Sequence, residues 1–499
     1  MPRRTWARSV STSSAISTFQ LKGPMIMNES EFSAASATTL SQKLSNGDIS
    51  PLELMDATIS RIEAVNPLIN ALPILCLEKA REQARAMTVA GRDPDVDGPL
   101  WGLPLAVKDY NDLAGAVTTY GSPLFAGNVA QRSDATVAKL QASGAIPVGK
   151  SNVPEWAGAH TFNPVFGHTL NPWDSGVSAG GSSGGSGAAL AAGMVPLATG
   201  NDLGGSLRVP ASFNSVVGLR PGPGRVPRGA RHPAFDTLWV EGPMGRCVAD
   251  VALMLDGGAG CDITDPLSFP HNGDRFLDAL EHTEMPKRVA FSADLGVVLM
   301  EDEVASICES AAGRFSEIGA HVDHWTPDFS GAIEAFQTLR GVLIAQMMES
   351  TLKEHRHQIA PEIIWNIEKG LEVTNAQLLD AERVRSRIYR TMEAFFERYD
   401  LLVCPTVSVP PFPKDQRYVE FIAGQPTKTY IDWIAITFAI TMTSCPALSL
   451  PAGFTQAGLP VGLQVIGPPR GEAALLRASH RMEEVLGLSD QVPLNPRPA

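Results

Sequence analysis

The stretch SAGGSSGGSGAALAAGMVPLATGNDLGGSLRVP, residues 178–210, is the most informative part of this 499-residue chain. It holds two glycine–serine tracts, residues 180–183 and 204–206, separated by a dense apolar segment, residues 188–198. Such tracts are more often flexible linkers, but a linker is not usually interleaved with apolar residues. Glycine allows positive φ and close backbone approach. The stretch therefore predicts serine hydroxyls held on tight turns inside a domain, an arrangement that suits a nucleophile beside an oxyanion hole.

The bulk composition excludes several classes of function. With 53 acidic and 40 basic residues the formal net charge is −13, which argues against nucleic-acid binding. No apolar run reaches the roughly 20 residues of a membrane helix, so no membrane partner is expected. The six scattered cysteines and ten histidines form no ligand motif, so neither a metal site nor another cofactor is predicted. We expect reduced thiols, a cytoplasmic location, and a monomer or homodimer.

The first 27 residues differ from the rest of the chain. They are rich in serine and threonine, and their only charges are Arg3, Arg4, Arg8 and Lys22. This composition is typical of a targeting peptide, but an apolar h-region is missing. Because Met25 and Met27 offer internal starts, a disordered or leader-like extension is the favoured interpretation. A single domain is then expected over residues 28–499.

Hydrophobic periodicity predicts an α/β fold. Apolar residues recur at three- and four-residue spacing over residues 37–90, and Ser50 before Pro51 is a typical helix start. Residues 102–109 and 145–149 resemble buried strands, with a helix over 135–142 between them. This alternation predicts a single large domain with a central mixed, mostly parallel sheet covered on both sides by helices. Further strands are predicted at 288–291, 401–404, 447–451 and 461–466, and further helices at 250–254, 301–318 and 472–486.

Several motifs follow one another in a specific order along the chain. They are PLAVKD at 104–109, TTYGS at 118–122, GKSNVPEW at 149–156, FGHTLNPWD at 166–174, GGSLRVPAS at 204–212, GPM at 242–244 and GLPVGLQ at 458–464. Together with the two glycine–serine tracts, this series closely resembles the amidase signature family. The resemblance runs, with gaps, over residues 40–485.

The resemblance implies a catalytic triad of two serines and a lysine. Ser206 matches the nucleophile, Ser182 the bridging serine that follows a cis peptide bond, and Lys108 the base. A serine hydroxyl attacks poorly until a base accepts its proton, and lysine is a base only where burial favours its neutral form. Lys108 ends an apolar strand, which supplies such burial. Ser182 would relay the proton from Ser206 to Lys108 and return it to the leaving amine.

The residues around the triad have supporting roles under the same resemblance. The backbone N–H groups of Leu203, Gly204, Gly205 and Ser206 would form the oxyanion hole. Gly181 would form the strained turn before Ser182, Ser183 would join the triad's hydrogen bonds or cap the following helix, and Asp202 and Arg208 would form a buried pair. His168 is interpreted as a packing residue. Asn201 departs from the family's usual Thr or Ser, for which we expect local retuning without loss of activity.

Two other interpretations remain open. Residues 180–184 satisfy Gly-x-Ser-x-Gly, the nucleophile elbow of α/β-hydrolases, which would make Ser182 the nucleophile. That class needs a later histidine, and His355, His357 and His480 are the late ones, none in a recognisable setting. The second alternative is the glutaminase component of glutamyl-tRNA amidotransferase, which resembles the same family and acts in a complex.

The expected activity is hydrolysis of amide C–N bonds through a covalent acyl-serine, with a small-molecule amide and water as partners. The variable region 284–437 is expected to shape the substrate pocket. Its apolar and aromatic side chains favour bulky or aryl amides, with carbamates (urethanes) and esters as an extension, although these side chains suit a core equally well. They are Phe336, Trp365, Tyr430, Trp433 and Ile436.

Overall fold

The computed structural model describes residues 29–156, 158–229, 233–489 and 491–499. The expectation of a leader over residues 1–27 lies outside the described residues. The α-helices of the described chain are α1 (Glu29–Ala34), α2 (Ala37–Asn46), α3 (Pro51–Ile69), α4 (Leu77–Ala90), α5 (Ala135–Ala142), α6 (Gly184–Ala191), α7 (Arg208–Asn214), α8 (Val248–Gly258), α9 (Asp302–Gly313), α10 (Ala332–His355), α11 (Pro361–Leu371), α12 (Asn375–Phe396), α13 (Ala435–Thr441) and α14 (Glu472–Leu486).

The described strands lie mostly in one large sheet. They are β1 (Ile74–Leu75), β2 (Pro104–Lys108), β3 (Ile146–Ser151), β4 (Phe162–Asn163), β5 (Gly167–His168), β6 (Leu170–Asn171), β7 (Asp174–Ser178), β8 (Leu197–Asp202), β9 (Val217–Arg220), β10 (Val240–Gly245), β11 (Arg288–Phe291), β12 (His321–His324), β13 (Leu401–Pro405), β14 (Phe421–Ile422), β15 (Gln425–Pro426), β16 (Ala447–Phe454) and β17 (Pro460–Ile466). Eleven of them form the sheet in the order β1-β3-β2-β8-β10-β9-β16-β17-β13-β11-β12.

The predicted α/β class and the mixed sheet are confirmed, but the balance of strand directions is corrected. Four neighbouring pairs are parallel: β2–β3, β2–β8, β11–β12 and β11–β13. The other six pairs are antiparallel. The parallel pairs follow helical crossovers, whereas a short turn joins β16 to β17 and so makes them antiparallel. The sheet is therefore mixed without being mostly parallel.

Both faces of the sheet are buried under helices. Leu402 on β13 packs in a core with side chains of α10, α12 and α13, while its neighbour Val403 packs in a core with α8, α9 and α14. Successive side chains of a strand point to opposite faces, so the two cores lie on opposite sides. None of the helices in the described ranges is both long and apolar enough to cross a membrane.

Local sequence signals set the helix ends. Ser50 accepts a hydrogen bond from the N–H of Glu53, whose side chain accepts one from the Ser50 N–H, and Pro51 occupies the first turn of α3. This is the capping box that stabilises a helix start. The predicted helices over 135–142 and 472–486 are confirmed with the same bounds. The predicted helix over 301–318 ends at Gly313 and continues as a 3₁₀ turn.

The parallel pair β2–β8 places two loops at one edge of the sheet. Leu105 and Ala106 pair with Leu197 and Ala198, so the carboxyl ends of both strands lie side by side. Lys108 ends β2 and Asp202 ends β8. Crevices at the carboxyl ends of parallel strands commonly hold ligand sites.

Candidate active site

Lys108 is completely buried at the end of β2 and contacts three side chains. Its Nζ lies 2.8 Å from Ser182 Oγ, 2.7 Å from Ser183 Oγ and 2.5 Å from Asn201 Oδ1. The backbone N–H of Lys108 donates to Thr199 on β8, which fixes the lysine against that strand. The structure thus brings Lys108 and Ser182 together as the sequence predicts. It also adds Asn201 as a direct partner of the amine.

Burial lowers the pKa of Lys108 to about 7, an effect that the carboxylates of Glu241 and Asp202 oppose. Burial in turn raises the pKa of Glu241, opposed chiefly by a hydrogen bond from Asn111. Asn111 Nδ2 donates to Glu241 Oε2 at 3.0 Å. The site therefore brings a substantial fraction of the lysine into its neutral form near neutral pH.

Ser182 and Ser183 lie on the turn that leads into α6. The Gly181–Ser182 peptide bond is cis, as expected. A Cβ at Gly181 would lie 2.9 Å from backbone atoms of Ala159 and His160, so the turn passes very close to that loop. Ser183 occupies the N-cap position of α6 but makes no side-chain cap. Its hydroxyl bonds to Lys108, which decides between the two roles predicted for it.

Asp202 organises the loop between β8 and α7. Its carboxylate accepts hydrogen bonds from the N–H groups of Gly205 and Leu207 and from the Arg208 guanidinium. Arg220 adds a second ion pair at 3.2 Å. These two guanidinium groups hold the pKa of Asp202 well below its usual range against the effect of burial. The predicted pair with Arg208 is present, and Arg220, to which the sequence assigned no role, adds to it.

Three of the four predicted oxyanion donors are available. The Gly205 N–H points to Asp202 Oδ1 at 2.8 Å, so this group is corrected from an oxyanion donor to a support of the loop. Within the described residues, the N–H groups of Leu203, Gly204 and Ser206 donate to no protein acceptor. Thr437 on α13 donates to the Gly204 carbonyl and so fixes the orientation of this peptide.

Ser206 and Ser182 face the same small cavity. Its volume is about 40 Å³, and Ser206 is partly accessible. The cavity wall consists mainly of apolar and aromatic side chains together with one guanidinium, and it includes Tyr110, Trp156, Leu203, Trp239, Phe336, Arg340, Ile431 and Ile434. We call this space the inner cavity. The structure thus places both predicted serines in the wall of the inner cavity.

A larger cavity of about 470 Å³ shares Gly158 and Ala159 with the inner cavity. We call it the outer cavity. Tyr430 and Trp433 line it, and Phe336 lines the inner one, so three of the five aromatic and apolar residues predicted for a pocket reach a cavity of the site. Trp365 lines a separate groove, and Ile436 is a fully buried core residue.

The described histidines make their hydrogen bonds and ring contacts with residues other than Lys108 and Ser182. Among the described residues, no histidine hydrogen-bonds to Ser182 or Ser206. His168 stacks on Phe162, in agreement with a packing role. His160 bonds to Ser178 and to the Lys414 carbonyl, and burial lowers its pKa to about 4. Within the part of the chain that the structure describes, Ser182 therefore lacks the histidine partner that the α/β-hydrolase interpretation requires.

Sequence reasoning missed Tyr110, Glu241 and Arg340. Tyr110 donates to the Pro154 carbonyl, and its ring centre lies 4.8 Å from Lys108 Nζ. Because Tyr110 follows Lys108 by two residues in the sequence, this proximity could have indicated that Tyr110 lies near the site. Glu241 directly precedes the GPM motif, but nothing in the sequence connects Glu241 or Arg340 with a lysine or serine more than a hundred residues away.

Comparison with known proteins identifies the family to which the chain is similar. The family model described as Amidase matches residues 53–476. An acylamidase of Rhodococcus erythropolis is 34% identical over 94% of this chain and 98% of its own length. The A component of the glutamyl-tRNA(Gln) amidotransferase of Moorella thermoacetica is 36% identical over 90% and 96%. The crystal structure of a bacterial aryl acylamidase of the amidase signature family superposes with a TM-score of 0.86 at 28% identity, covering 93% of this chain and 99% of that one.

Proposed function

The chain belongs to the amidase family and is a hydrolase of amide C–N bonds, and from this premise we propose that it cleaves bulky or aryl amides through an acyl-Ser206 intermediate. The observation that carries the proposal is the 2.8 Å contact between Lys108 Nζ and Ser182 Oγ, beside a cavity that Ser206 also lines.

The contacts of Lys108 suit a base. A neutral amine has two N–H groups and one lone pair. Asn201 Oδ1 can only accept a hydrogen bond, so it takes one N–H, and Ser183 Oγ at 2.7 Å takes the second. The lone pair is then left for the hydroxyl proton of Ser182. Ser182 in turn accepts the proton of Ser206 as Ser206 attacks the carbonyl carbon.

Charge develops on the carbonyl oxygen during this attack. The free N–H groups of Leu203, Gly204 and Ser206 are the proposed donors to this oxyanion, and loss of one such donor typically costs about 10²–10³ in rate. Ser182 then returns its proton to the leaving amine. Water attacks the acyl-Ser206 ester by the same route in reverse, which releases the acid and restores the enzyme.

The size and lining of the outer cavity support a bulky substrate. Its volume of about 470 Å³ lies within the range of small-molecule sites. Tyr430 offers aromatic surface to it, and the almost completely buried Trp433 packs in its wall. Carbamates and esters have the same acyl-transfer chemistry, so aryl carbamates and esters are proposed as further substrates. The names of the acylamidase and aryl acylamidase relatives support acyl amides and aryl amides as substrates.

A substrate panel with two serine variants tests the proposal. We expect anilides and aryl carbamates to be hydrolysed with higher kcat/KM than free glutamine or short aliphatic amides. Ser206→Ala should abolish turnover and the acyl adduct seen by intact-protein mass spectrometry with a slowly hydrolysed aryl ester, whereas Ser182→Ala should slow turnover and leave the attacking hydroxyl in place. Substantial activity in Ser206→Ala would assign attack to Ser182 instead. A preference for glutamine would favour the second candidate, the glutaminase component of an amidotransferase, which the Moorella relative supports.

A further inference from the structure

Arg340 is a buried charge in the wall of the inner cavity. Arg340 is only 5% exposed, and it lines the inner cavity together with Ser182 and Ser206. The guanidinium donates to two neutral groups, Asn366 Oδ1 and the Tyr430 hydroxyl, both at 2.5 Å. Within the described residues no carboxylate pairs with it. Arginine carries a positive charge in proteins, so within the described residues this charge is buried against neutral hydrogen-bond acceptors alone.

The fold holds this charge in place. Phe336 precedes Arg340 by one turn of α10, so the two side chains share a helix face. The Phe336 ring lies 3.1 Å from the point where a Cβ on Gly204 would be, which shows that this face of α10 meets the candidate oxyanion loop. Arg340 therefore lies on the helix face that meets the loop carrying Ser206.

Two neighbouring elements fix the orientation of the guanidinium. On α11, Asn366 also donates to the Tyr430 hydroxyl at 2.6 Å. Tyr430 accepts from both residues, and its ring lies 5.7 Å from the Arg340 guanidinium carbon. A planar guanidinium held in this way presents its remaining N–H groups in a defined plane, which is the geometry that binds carboxylates in a forked fashion.

Resting on the proposed function, we propose that Arg340 binds a carboxylate of the substrate, so that the preferred substrates are amides that carry an anionic group near the scissile bond. Apart from Arg340 itself, Ser182, Ser206 and Asn201, the side chains that line the inner cavity are apolar or aromatic, and such surroundings strengthen a charge-assisted hydrogen bond made inside it. The uncharged, bulky part of the same substrate occupies the outer cavity. Arg340 is then a specificity-determining residue of the proposed site.

Matched substrate pairs test this proposal in the full-length protein. One pair is N-phenylsuccinamate and N-phenylpentanamide, which differ in charge on the acyl side. The other is N-acetyl-4-aminobenzoate and N-acetyl-4-methylaniline, which differ on the amine side. We expect the wild type to prefer the anionic member of at least one pair by about 10- to 100-fold in kcat/KM, the range of a hydrogen bond to a charged group. The responding pair identifies the side that Arg340 binds.

Substitution of Arg340 distinguishes a role in substrate recognition from a purely structural role. Arg340→Met should remove the preference by raising KM for the anionic substrate alone, and Arg340→Lys should retain part of it. Arg385→Met is the matched control, because Arg385 is a largely buried arginine that bonds to Thr237 and lines neither cavity. Measurable and equal hydrolysis of both members of each pair by the wild type would overturn the proposal. So would an equal loss on both members in Arg340→Met, which would mark Arg340 as a structural cross-link.

Binding to an inactive variant distinguishes this proposal from the proposed function. Calorimetric titration of Ser206→Ala with the anionic and neutral members measures recognition without turnover. A charge preference in binding, lost in Ser206→Ala/Arg340→Met, supports the carboxylate site even if the wild type hydrolyses none of the four amides. In that case the proposed function fails and the inference about Arg340 stands. The wild-type comparison needs no variant and decides the question if Arg340→Met does not fold.

Discussion

Lys108 combines full burial with three short polar contacts, and this combination determines when it can act as a base. A lysine in water is protonated at neutral pH and has no lone pair to accept a proton. Here burial is the largest cause of the lowered pKa, and Glu241 and Asp202 act against it. Burial and these two carboxylates together set the pKa of Lys108. The same few residues therefore determine how the proposed activity depends on pH.

The first prediction at this scale is a pH dependence. The proposed base works in its neutral form, whose fraction grows about tenfold per pH unit below a pKa of about 7 and levels off above it. We expect kcat/KM for a neutral anilide to rise from about pH 5.5 and reach a plateau above about pH 8. Glu241→Gln removes a carboxylate that favours the charged lysine, so its profile should shift to lower pH. A profile that is flat from about pH 5.5 to 9 would contradict the role of Lys108.

Asp202 provides a prediction on stability. Asp202→Asn leaves the buried guanidinium groups of Arg208 and Arg220 without their carboxylate. Breaking a buried ion pair typically costs about 3–5 kcal/mol, so the free energy of unfolding in urea should fall by about that amount. Glu317→Gln is the control, because its pair with Arg314 is exposed to solvent and therefore contributes little to stability. Equal effects of the two substitutions would show that the buried cluster does not stabilise this loop.

How much of the site the sequence could predict depends on the distance between contacting residues in the chain. Lys108, Ser182 and Ser206 belong to short local motifs whose order along the chain is recognisable, and the structure brings all three to one edge of the sheet. The prediction for the Gly205 N–H was wrong because its acceptor, the Asp202 carboxylate, is only known once the loop has folded around it. Arg340 could not be predicted because its contacts join α10 to α11 and to Tyr430, ninety residues away.

At the scale of elements, local patterns predicted helices and strands well and their arrangement less well. Capping and periodicity act within a few residues, as at Ser50 and over 135–142. Strand order depends on which strands meet across long connections. The pairing of β13 with both β11 and β17 could not be derived from 401–405 alone, because any buried apolar strand can pair in either direction. The strand directions were therefore the part that needed correction.

The close contact between α10 and α11 predicts that a larger side chain at their interface lowers stability and weakens substrate binding. A Cβ at Gly370 would lie 1.9 Å from the Gly341 carbonyl oxygen, so Gly370→Ala must push the helices apart. We expect a loss of about 1–3 kcal/mol in stability and, because Asn366 precedes Gly370 by one turn, a higher KM for the anionic anilides. Gly313→Ala in α9 is the control, since a Cβ there meets nothing within 4 Å. Identical melting temperatures and KM values for the two variants would show that this contact is not needed.

At the scale of the whole molecule, the cores connect distant parts of the chain. The site draws on β2, β8, α10 and the segment around Tyr430, so residues from about 108 to 434 must pack together before the two cavities exist. The amino-terminal helices take part in this packing. Phe32 on α1 lies in one core with Leu105 and Val107 of β2, and Glu29 pairs with Arg61 of α3 at 3.0 Å. The packing that supports Lys108 therefore includes the chain from Glu29 onwards.

This packing predicts different outcomes for two amino-terminal truncations. A variant that lacks residues 1–27 keeps the Glu29–Arg61 pair and Phe32, so we expect its melting temperature and kcat/KM to equal those of the full chain. A variant that lacks residues 1–36 loses Phe32, which is 1% exposed, and the Ser33 carbonyl that accepts from Arg246 at 2.6 Å. Removing a buried phenylalanine side chain typically costs about 3–5 kcal/mol, so this variant should unfold well below the full chain. A loss of stability or activity in the shorter truncation would show that residues 1–27 belong to the folded enzyme, which contradicts their interpretation as a leader.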